Sequence, residues 1–292
     1  MTAFSRRWAV LAPPYLWLGL FFLVPFLIVL KISLAEQTIG IPPYTPLLVR
    51  DASGWHLQAG LANYLFLLGD SLYARAYLNA IKYAAIATSG CLLLGYPMAY
   101  AVARAPETWR ARLLLLIILP FWTSYLIRVY AWIGLLKGNG IVNNALIALG
   151  LIHDPLPLLN NSFSVILGLI YSYLPYMVLP LYAALEKLDP ILLEAASDLG
   201  ARPARAFWRV TLPLSLPGVA AGALLVAIPM VGEFVIPELL GGPGNLMIGK
   251  VLWDEFFTNR DWPVASAVAV AMLAFLVLPM AWVRRLVARE AG

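Results

Sequence analysis

An all-α, polytopic membrane protein is the fold class that this sequence predicts, on three observations. Hydrophobic residues make up 62% of the 292 residues and charged residues only 12%, whereas soluble chains carry about 25% charged residues. The mean hydropathy is +0.83. Six apolar segments reach the length of about 20 residues with which a helix crosses the hydrocarbon of a bilayer. A soluble enzyme is therefore excluded, and one transmembrane domain over 1–292 with about six helices is expected.

The six segments are expected to be membrane helices over 8–30, 79–102, 113–136, 164–185, 214–232 and 263–283. The first apolar run is longer than the roughly 7–15 apolar residues of a cleaved signal peptide, so it is expected to stay as a helix. In the fifth, Gly218 and Gly222 have the spacing that lets helices approach closely. Chance in an apolar helix accounts for the pair equally well.

The distribution of Lys and Arg predicts the orientation. Twelve of these side chains fall on the side that holds both termini and the connections after the second and fourth helices. Seven fall on the other side, spread over much longer loops. Because basic loops stay in the cytoplasm, both termini are expected to be cytoplasmic. The same bias accounts for the net charge of +5 without nucleic acid as a partner.

The longest polar interruption on the basic side is 187–213. Asp189, followed by proline, predicts the start of a short helix, and Gly200 predicts its end. Asp198 and Arg202 have the acid-first spacing of four that stabilises a helix. A second short helix is then expected before the apolar sequence resumes.

This interruption resembles the EAA loop of bacterial ABC importer permeases. The matching residues are Glu194, Ala195, Ala196, Gly200, Val210, Leu212 and Pro213. The resemblance implies a type I importer permease fold in which this loop docks on a separate ATPase subunit. It implies that the coupling residues are Glu194, Ala195, Ala196, Asp198, Gly200 and Arg202. A plain connector with a glycine turn is the alternative.

The outer loops hold candidate contacts for a solute. Glu233 and its neighbours up to residue 262 include five acidic and two basic side chains, and an acidic mouth concentrates a cationic solute. A solvent-exposed loop without a function in transport, or a docking surface for a binding protein, explains the same charges. Aromatic faces can hold an ammonium group weakly, although interfacial belts of Trp and Tyr are common. The expected pathway residues are Trp122, Tyr125, Tyr173, Glu233, Asp254 and Glu255.

Arg128 lies within the third predicted helix, about 22 Å from its start at 1.5 Å per residue. Its side chain can snorkel to the outer interface. Ionisable residues in membrane helices are also functional candidates. The interpretation preferred from sequence is a structural ion pair with an acid of the outer mouth.

Several other sites are not expected. Residues 244–250 fit GxxxxGK, but Val251 stands where a nucleotide-binding loop needs Ser or Thr and no strand precedes it. His56 and His153 are far apart, so no metal cluster is suggested. Cys91 is the single cysteine, so no disulfide forms within the chain. Any energy from ATP must come from a partner.

A wider resemblance is to the polyamine-importer permeases, above all their putrescine permease subunit. It is carried by KISLAE, IPPYT, LPFWTSYLIRVYAW, YLPYMVLPLYAALEKLDP, GEFVIPELLGGP and NRDWPVASAVAV. The resemblance implies a non-catalytic subunit of the bacterial inner membrane that moves putrescine or spermidine inward. The implied partners are membrane lipid, a second homologous permease, an ATPase dimer that binds ATP and Mg, and a periplasmic binding protein. This chain is expected to hold no cofactor.

Three alternatives remain from sequence: a permease for another small cationic solute, a stand-alone secondary transporter, and a membrane-embedded enzyme. A secondary transporter needs ion ligands near the bilayer midplane, and no acid lies at a helix centre. The catalytic motifs of a membrane enzyme are not apparent in the sequence.

Overall fold

A computed structural model describes residues 3–51 and 54–290. Residues 1, 2, 52, 53, 291 and 292 of the expected 1–292 domain lie outside the described residues. The α-helices are α1 Ala3–Leu18, α2 Val24–Ser33, α3 Ala62–Gly69, α4 Ser71–Arg104, α5 Glu107–Ile118, α6 Tyr125–Leu136, α7 Ile141–Ala148, α8 Ser162–Glu186, α9 Ile191–Asp198, α10 Pro203–Ala206, α11 Leu212–Val231, α12 Val235–Leu240, α13 Ile248–Trp253 and α14 Trp262–Glu290.

Shorter helical turns join several of these elements. A π-helical turn at Gly19–Leu23 connects α1 to α2, and another at Phe207–Thr211 connects α10 to α11. A third π-helical turn, Asp254–Thr258, follows α13, and a 3-10 turn, Leu119–Trp122, follows α5. The described apolar segments are therefore mostly helical, as the composition predicts.

A small antiparallel ribbon in the first outer loop was not predicted. Its strands are β1 (Leu48–Asp51) and β2 (Gly54–Leu57), with Leu48 opposite Leu57. Each strand has four residues, too few for its sequence pattern to stand out among prolines and aromatics.

Four helical stretches of the described residues are long and apolar enough to cross a membrane. They are Val10–Ser33, Ser71–Arg104, Ser162–Glu186 and Pro203–Val231. Each contains or largely overlaps a segment expected from sequence. The described apolar part of the last helix, Trp262–Phe275, is shorter, and the helix continues to Glu290.

The straight helix expected over 113–136 is not what the structure shows. Glu107–Trp122 and Tyr125–Ala148 are inclined at 85° to each other. The intervening Thr123 is extended, with φ −78° and ψ 156°, and its hydroxyl donates to the carbonyl of Pro120 at 2.7 Å. Pro120 lacks an N–H for the helical ladder, so the helix ends near it. The segment is a broken span or a re-entrant loop.

The second short helix expected over 204–211 is also different. α10 continues through its π-helical turn into α11, so one helix runs over Pro203–Val231. The long helix therefore begins well before residue 214, because Pro203 at its first turn is compatible with helix initiation.

The chain forms two compact units, one of residues 1–74 and 251–292 and the other of residues 75–250. In the second unit α8 packs closely on α11. A Cβ added at Gly222 would lie 2.8 Å from the Met177 sulfur, and one at Gly218 would lie 3.0 Å from the Pro180 carbonyl. Both glycines are buried, so the close-packing interpretation of this pair is the correct one.

In the first unit α14 packs against α2 and α3. The Asn63 side chain donates to the carbonyls of Ser33 and Ala35 at 2.9 and 2.8 Å, and the hydroxyls of Ser33 and Tyr64 are 2.7 Å apart. These bonds fix the end of α2 against α3.

Candidate functional site

Glu233 lies in the turn between α11 and α12 and is 9% exposed. Its Oε1 accepts hydrogen bonds from the backbone N–H groups of Phe234 and Val235, at 3.1 and 3.0 Å. Its Oε2 accepts a hydrogen bond from the Tyr173 hydroxyl at 2.7 Å. The turn thus holds a buried carboxylate whose orientation is fixed by two backbone N–H groups and a tyrosine hydroxyl.

Aromatic rings lie around this part of the second unit. Tyr173 is 6.1 Å from Tyr176 between ring centroids, and Phe121 is 6.0 Å from Tyr171. Trp132 meets the same Tyr171 ring edge-on at 5.3 Å. Phe121 precedes the break between α5 and α6 and Tyr171 lies on α8, so the rings come from elements that meet at this break. Aromatic faces next to a carboxylate provide the surroundings that bind an ammonium group.

Tyr125 is the first residue of α6, and its hydroxyl is buried. It lies close enough to Glu233, Tyr173 and Arg128 for electrostatic interaction with all three. The structure therefore brings Tyr125 and Tyr173 together with Glu233, as the expected pathway requires.

Trp122 is placed differently from the other aromatic candidates. It ends the 3-10 turn and is 75% exposed. Among the described residues, no ring contact or hydrogen bond includes it. The structure does not join Trp122 to the Glu233 cluster, because the chain turns away between Trp122 and Tyr125.

Asp254 and Glu255 belong to the first unit, not to the unit that contains Glu233. Both begin the π-helical turn after α13. Glu255 accepts hydrogen bonds from the Tyr73 hydroxyl at 2.8 Å and from the Asn259 side chain at 2.9 Å. These contacts hold the turn in place within its own unit.

Arg128 is the residue of this region that sequence reasoning interpreted wrongly. Its guanidinium carbon lies 4.4 Å from the centroid of the Phe121 ring and 5.7 Å from that of Tyr125. Its Nε and Nη1 are buried without a hydrogen-bond partner. The described residues form no ion pair with it, so the expected pairing with an outer acid is absent and stacking on aromatic rings takes its place.

The polar elbow between α8 and α11 (residues 187–202) is the second candidate region. Asp189 accepts a hydrogen bond from the N–H of Ile191, the first residue of α9, at 3.0 Å. Gly200 has φ +79°. Its N–H donates to the Ser197 carbonyl at 2.8 Å, and the Ala201 N–H donates to the Ala196 carbonyl at 2.9 Å. This pair of bonds is a Schellman motif with glycine at the position that needs positive φ.

The elbow presents a largely exposed surface. Glu194, Ala195 and Asp198 are exposed on α9, and Ala196 is half-buried. Leu199 is 88% exposed beside them. Arg202 follows the glycine in extended backbone, with ψ 153°, so it does not share a helix with Asp198 and the expected helical pairing does not form. Among the described residues, Ile191 and Leu199 of the elbow are thus exposed apolar side chains.

The GxxxxGK match is part of an ordinary loop and helix start. Lys250, on α13, forms an ion pair with Glu238. Gly249 packs against the backbone of Gly232 and Glu233, where any side chain would clash. The glycine therefore allows α13 to approach the turn that carries Glu233.

Comparison with known proteins places this geometry in a family. Residues 91–291 match the family described as binding-protein-dependent transport system inner membrane component. The chain belongs to this family. It is a transport subunit of the inner membrane, not an enzyme.

Two relatives are more specific. The chain is 42% identical over 263 residues to the spermidine/putrescine transport system permease protein PotB of Haemophilus influenzae, with 90% of this chain and 87% of that protein covered. It is 41% identical over 256 residues to PotB of Escherichia coli strain K12, with 88% of each covered. The chain is therefore a member of the spermidine/putrescine permease group, as its sequence blocks predict.

A solved structure has the same fold. It is a bacterial alginate ABC transporter in complex with an alginate pentasaccharide-bound periplasmic protein, with a TM-score of 0.68 and 20% identity. The match covers 97% of this chain and 95% of that chain. The expected fold of an ABC importer permease is confirmed.

Proposed function

We propose that this chain is the permease subunit of an ATP-driven importer that moves polyamines, putrescine or spermidine, from the periplasm to the cytoplasm. The observation that carries the proposal is the buried Glu233 carboxylate, which is oriented by backbone donors and lies beside Tyr173 and Tyr125. Polyamines are chains of methylene groups with ammonium ends. One ammonium fits a charge-assisted hydrogen bond to the carboxylate, and the methylene groups fit the aromatic surroundings. The PotB relatives are described as transporting such solutes.

The proposed pathway consists of Glu233, Tyr125 and Tyr173, with Trp122 at an exposed edge. Asp254 and Glu255 contribute negative charge on the outer side. Transport along this pathway requires alternating access, in which the permease opens first outward and then inward. The solute must make different contacts in these two states. Because the contacts of a ring with an ammonium are weak, about 0.5–2 kcal/mol each, the solute can leave on the inner side.

The energy is proposed to come from a partner ATPase dimer that binds ATP and Mg. The docking surface for this ATPase would consist of the elbow residues Glu194, Ala195, Ala196, Asp198, Gly200 and Arg202. Because the ATPase works in the cytoplasm, the elbow and both termini are proposed to lie there. A second permease subunit would complete the pathway, and a periplasmic binding protein would deliver the solute. The alginate transporter of the same fold is in complex with a ligand-bound periplasmic protein.

The decisive experiment is ATP hydrolysis by the reconstituted complex with its binding protein. Putrescine and spermidine are expected to stimulate hydrolysis, and the order of their effects decides between them. Sulfate and ferric iron are the controls and should have no effect. Stimulation by another organic cation, with no response to either polyamine, would replace the substrate and keep the transporter.

A further inference from the structure

A groove of about 430 Å³ lies between α4, α5 and α8, within the second unit. The described residues that line it are aliphatic or aromatic, together with one methionine, and none of them is charged. Tyr171 supplies the only hydroxyl of this lining. An apolar cavity of about 150 Å³ is already large enough to bind benzene, so the groove has room for a longer hydrocarbon chain.

The groove is open along α5. Leu116 lines it and is 64% exposed, and its neighbour Leu115 is 47% exposed. Ala101 of α4 also lines the groove and is exposed. Both helices belong to stretches that are apolar enough to enter a membrane. The open side of the groove is therefore expected to face the hydrocarbon of the bilayer.

The lining of the groove suits a hydrocarbon chain and does not suit a polyamine. An ammonium group buried among these side chains would lack an acceptor, and burying a charge without a partner is costly. An acyl chain needs no hydrogen bond. Because lipid tails are as apolar as leucine, contacts inside the groove do not select one lipid over another. Any selection must come from polar groups at the end of the groove.

Two arginines lie one helical turn beyond the groove, on the basic side of the chain. Arg104 ends α4 and follows Ala101 by three residues and Met98 by six, and both of these line the groove. Arg112 precedes Leu116 on α5 by four residues. Residues at such spacings lie on one face of a helix. Both arginines thus continue the two helix faces that form the groove.

The guanidinium groups of these two arginines have no carboxylate partner among the described residues. That of Arg104 lies 5.6 Å from the centroid of the Tyr100 ring, and that of Arg112 lies 5.2 Å from the centroid of the Trp109 ring. Both rings belong to the same helix as their arginine. A guanidinium group binds phosphate oxygens well, because its N–H donors match them in pairs.

We propose that the groove binds one anionic phospholipid. An acyl chain lies between α4, α5 and α8, and the phosphate accepts hydrogen bonds from Arg104 and Arg112. Basic side chains next to spaces between membrane helices are typical of binding sites for anionic headgroups. The bound lipid packs α5 against its neighbours directly before the break at Thr123. This inference does not depend on which solute is transported.

The test measures which lipid stays on the purified complex of permeases and ATPase. The complex is delipidated in detergent and incubated with equal amounts of phosphatidylglycerol and phosphatidylcholine that have the same acyl chains. Native mass spectrometry then counts the most tightly bound lipid, and phosphatidylglycerol is expected to be preferred. The double variant Arg104→Gln/Arg112→Gln should lower this preference by about fivefold for each charge removed. Ala101→Trp fills the groove and should lower the retention of phosphatidylglycerol severalfold.

Two controls match these variants. Lys31→Gln/Lys137→Gln removes two exposed charges from the predicted outer side, and Leu93→Trp adds the same ring to α4 at a position that is 75% exposed. Both should retain lipid as the wild type does. An equal loss of the preference in the lysine variant would mean that only net charge matters, and the site would be wrong.

Three further results decide the proposal. Equal retention of the two lipids by the wild type would overturn it, and so would an unchanged preference in the arginine variant. If Ala101→Trp loses the second permease subunit or does not assemble, while Leu93→Trp assembles, a protein segment fills the groove and the lipid site is wrong. If the arginine variant does not assemble, Ala101→Trp decides the result alone.

Discussion

Glu233 shows how a single buried carboxylate is stabilised inside an apolar chain. Two backbone N–H groups and one tyrosine hydroxyl donate to it. Hydrogen bonds of this kind stabilise an ionised group and offset the loss of water around it. The two backbone donors lie at the start of α12, where helical N–H groups lack partners. The same contacts therefore fix the turn and orient the charge.

Replacing Glu233 by Gln is expected to weaken polyamine transport with little loss of structure. The Gln amide oxygen can still accept from the backbone of α12, but it carries no charge for an ammonium. A hydrogen bond between charged groups contributes about 1.5–3 kcal/mol, so the apparent affinity should fall by about tenfold or more. Putrescine uptake by vesicles and the thermal stability of the complex are the two measurements.

Glu238→Gln is the matched control for this substitution. Glu238 lies on α12 as well, but its side chain is 53% exposed and paired with Lys250. Its neutralisation removes one charge from the same loop and should leave uptake within about twofold of wild type, because exposed ion pairs contribute little. Equal losses in both variants would mean that only the total charge of the outer loop matters.

Single residues of this site differ in how far the sequence could predict them. Glu233 and Tyr173 could be predicted because acids are scarce in the chain and aromatic residues recur near them. Arg128 was misinterpreted because an ion pair was expected from its charge alone. Its actual partner, the Phe121 ring, lies on the other side of a break that hydropathy does not reveal.

At the scale of elements, α7 and α9 end in the same way. In α7 the N–H of Gly150 donates to the Ile147 carbonyl and the N–H of Leu151 donates to the Leu146 carbonyl, at 2.9 and 3.0 Å. Gly150 has φ +69°, compared with +79° for Gly200. Neither glycine has an atom within 4 Å of an added Cβ. A side chain at either position is thus disfavoured by the backbone alone.

This equivalence gives a controlled test of the elbow. A non-glycine residue at positive φ costs about 1–3 kcal/mol, so Gly200→Val should shift the end of α9 and disturb its exposed surface. The amount of ATPase that co-purifies with the complex is expected to fall severalfold. Gly150→Val carries the same backbone cost in the second outer loop and should retain the ATPase. Retention of the ATPase by both variants would argue against the elbow as its docking site.

The helices also show which features the hydropathy pattern could predict and which it could not. The helices α8 and α11 could be predicted because each is an uninterrupted apolar run with polar residues at its ends. The break at Thr123 and Ser124 could not, because two polar residues in an apolar run of 24 residues (113–136) barely change its hydropathy. Pro120 was one proline among several, and most of the others lie inside unbroken helices, such as Pro175 and Pro180 in α8.

At the scale of the whole molecule, the distribution of charge supports one orientation in the membrane. The elbow and α7 lie in loops that the positive-inside rule assigns to opposite sides. The described ion pair between Arg110 and Glu186, at 3.6 Å, lies on the basic side, directly before the elbow. If the elbow docks the ATPase as proposed, the basic side must be the cytoplasmic one.

Labelling with a membrane-impermeant maleimide decides the orientation. Cys91 is 0% exposed, so the natural cysteine contributes little background. Asn144→Cys on α7 and Ser197→Cys on α9 each place a thiol at an exposed position. In intact spheroplasts, Asn144→Cys is expected to react and Ser197→Cys to stay unmodified until the membrane is opened. Labelling of a denatured sample is the control, because it shows that the Ser197→Cys thiol reacts once the ATPase no longer shields it. Reaction of Ser197→Cys in intact spheroplasts would place the elbow outside, where no ATPase could act on it, and the proposed coupling would be wrong.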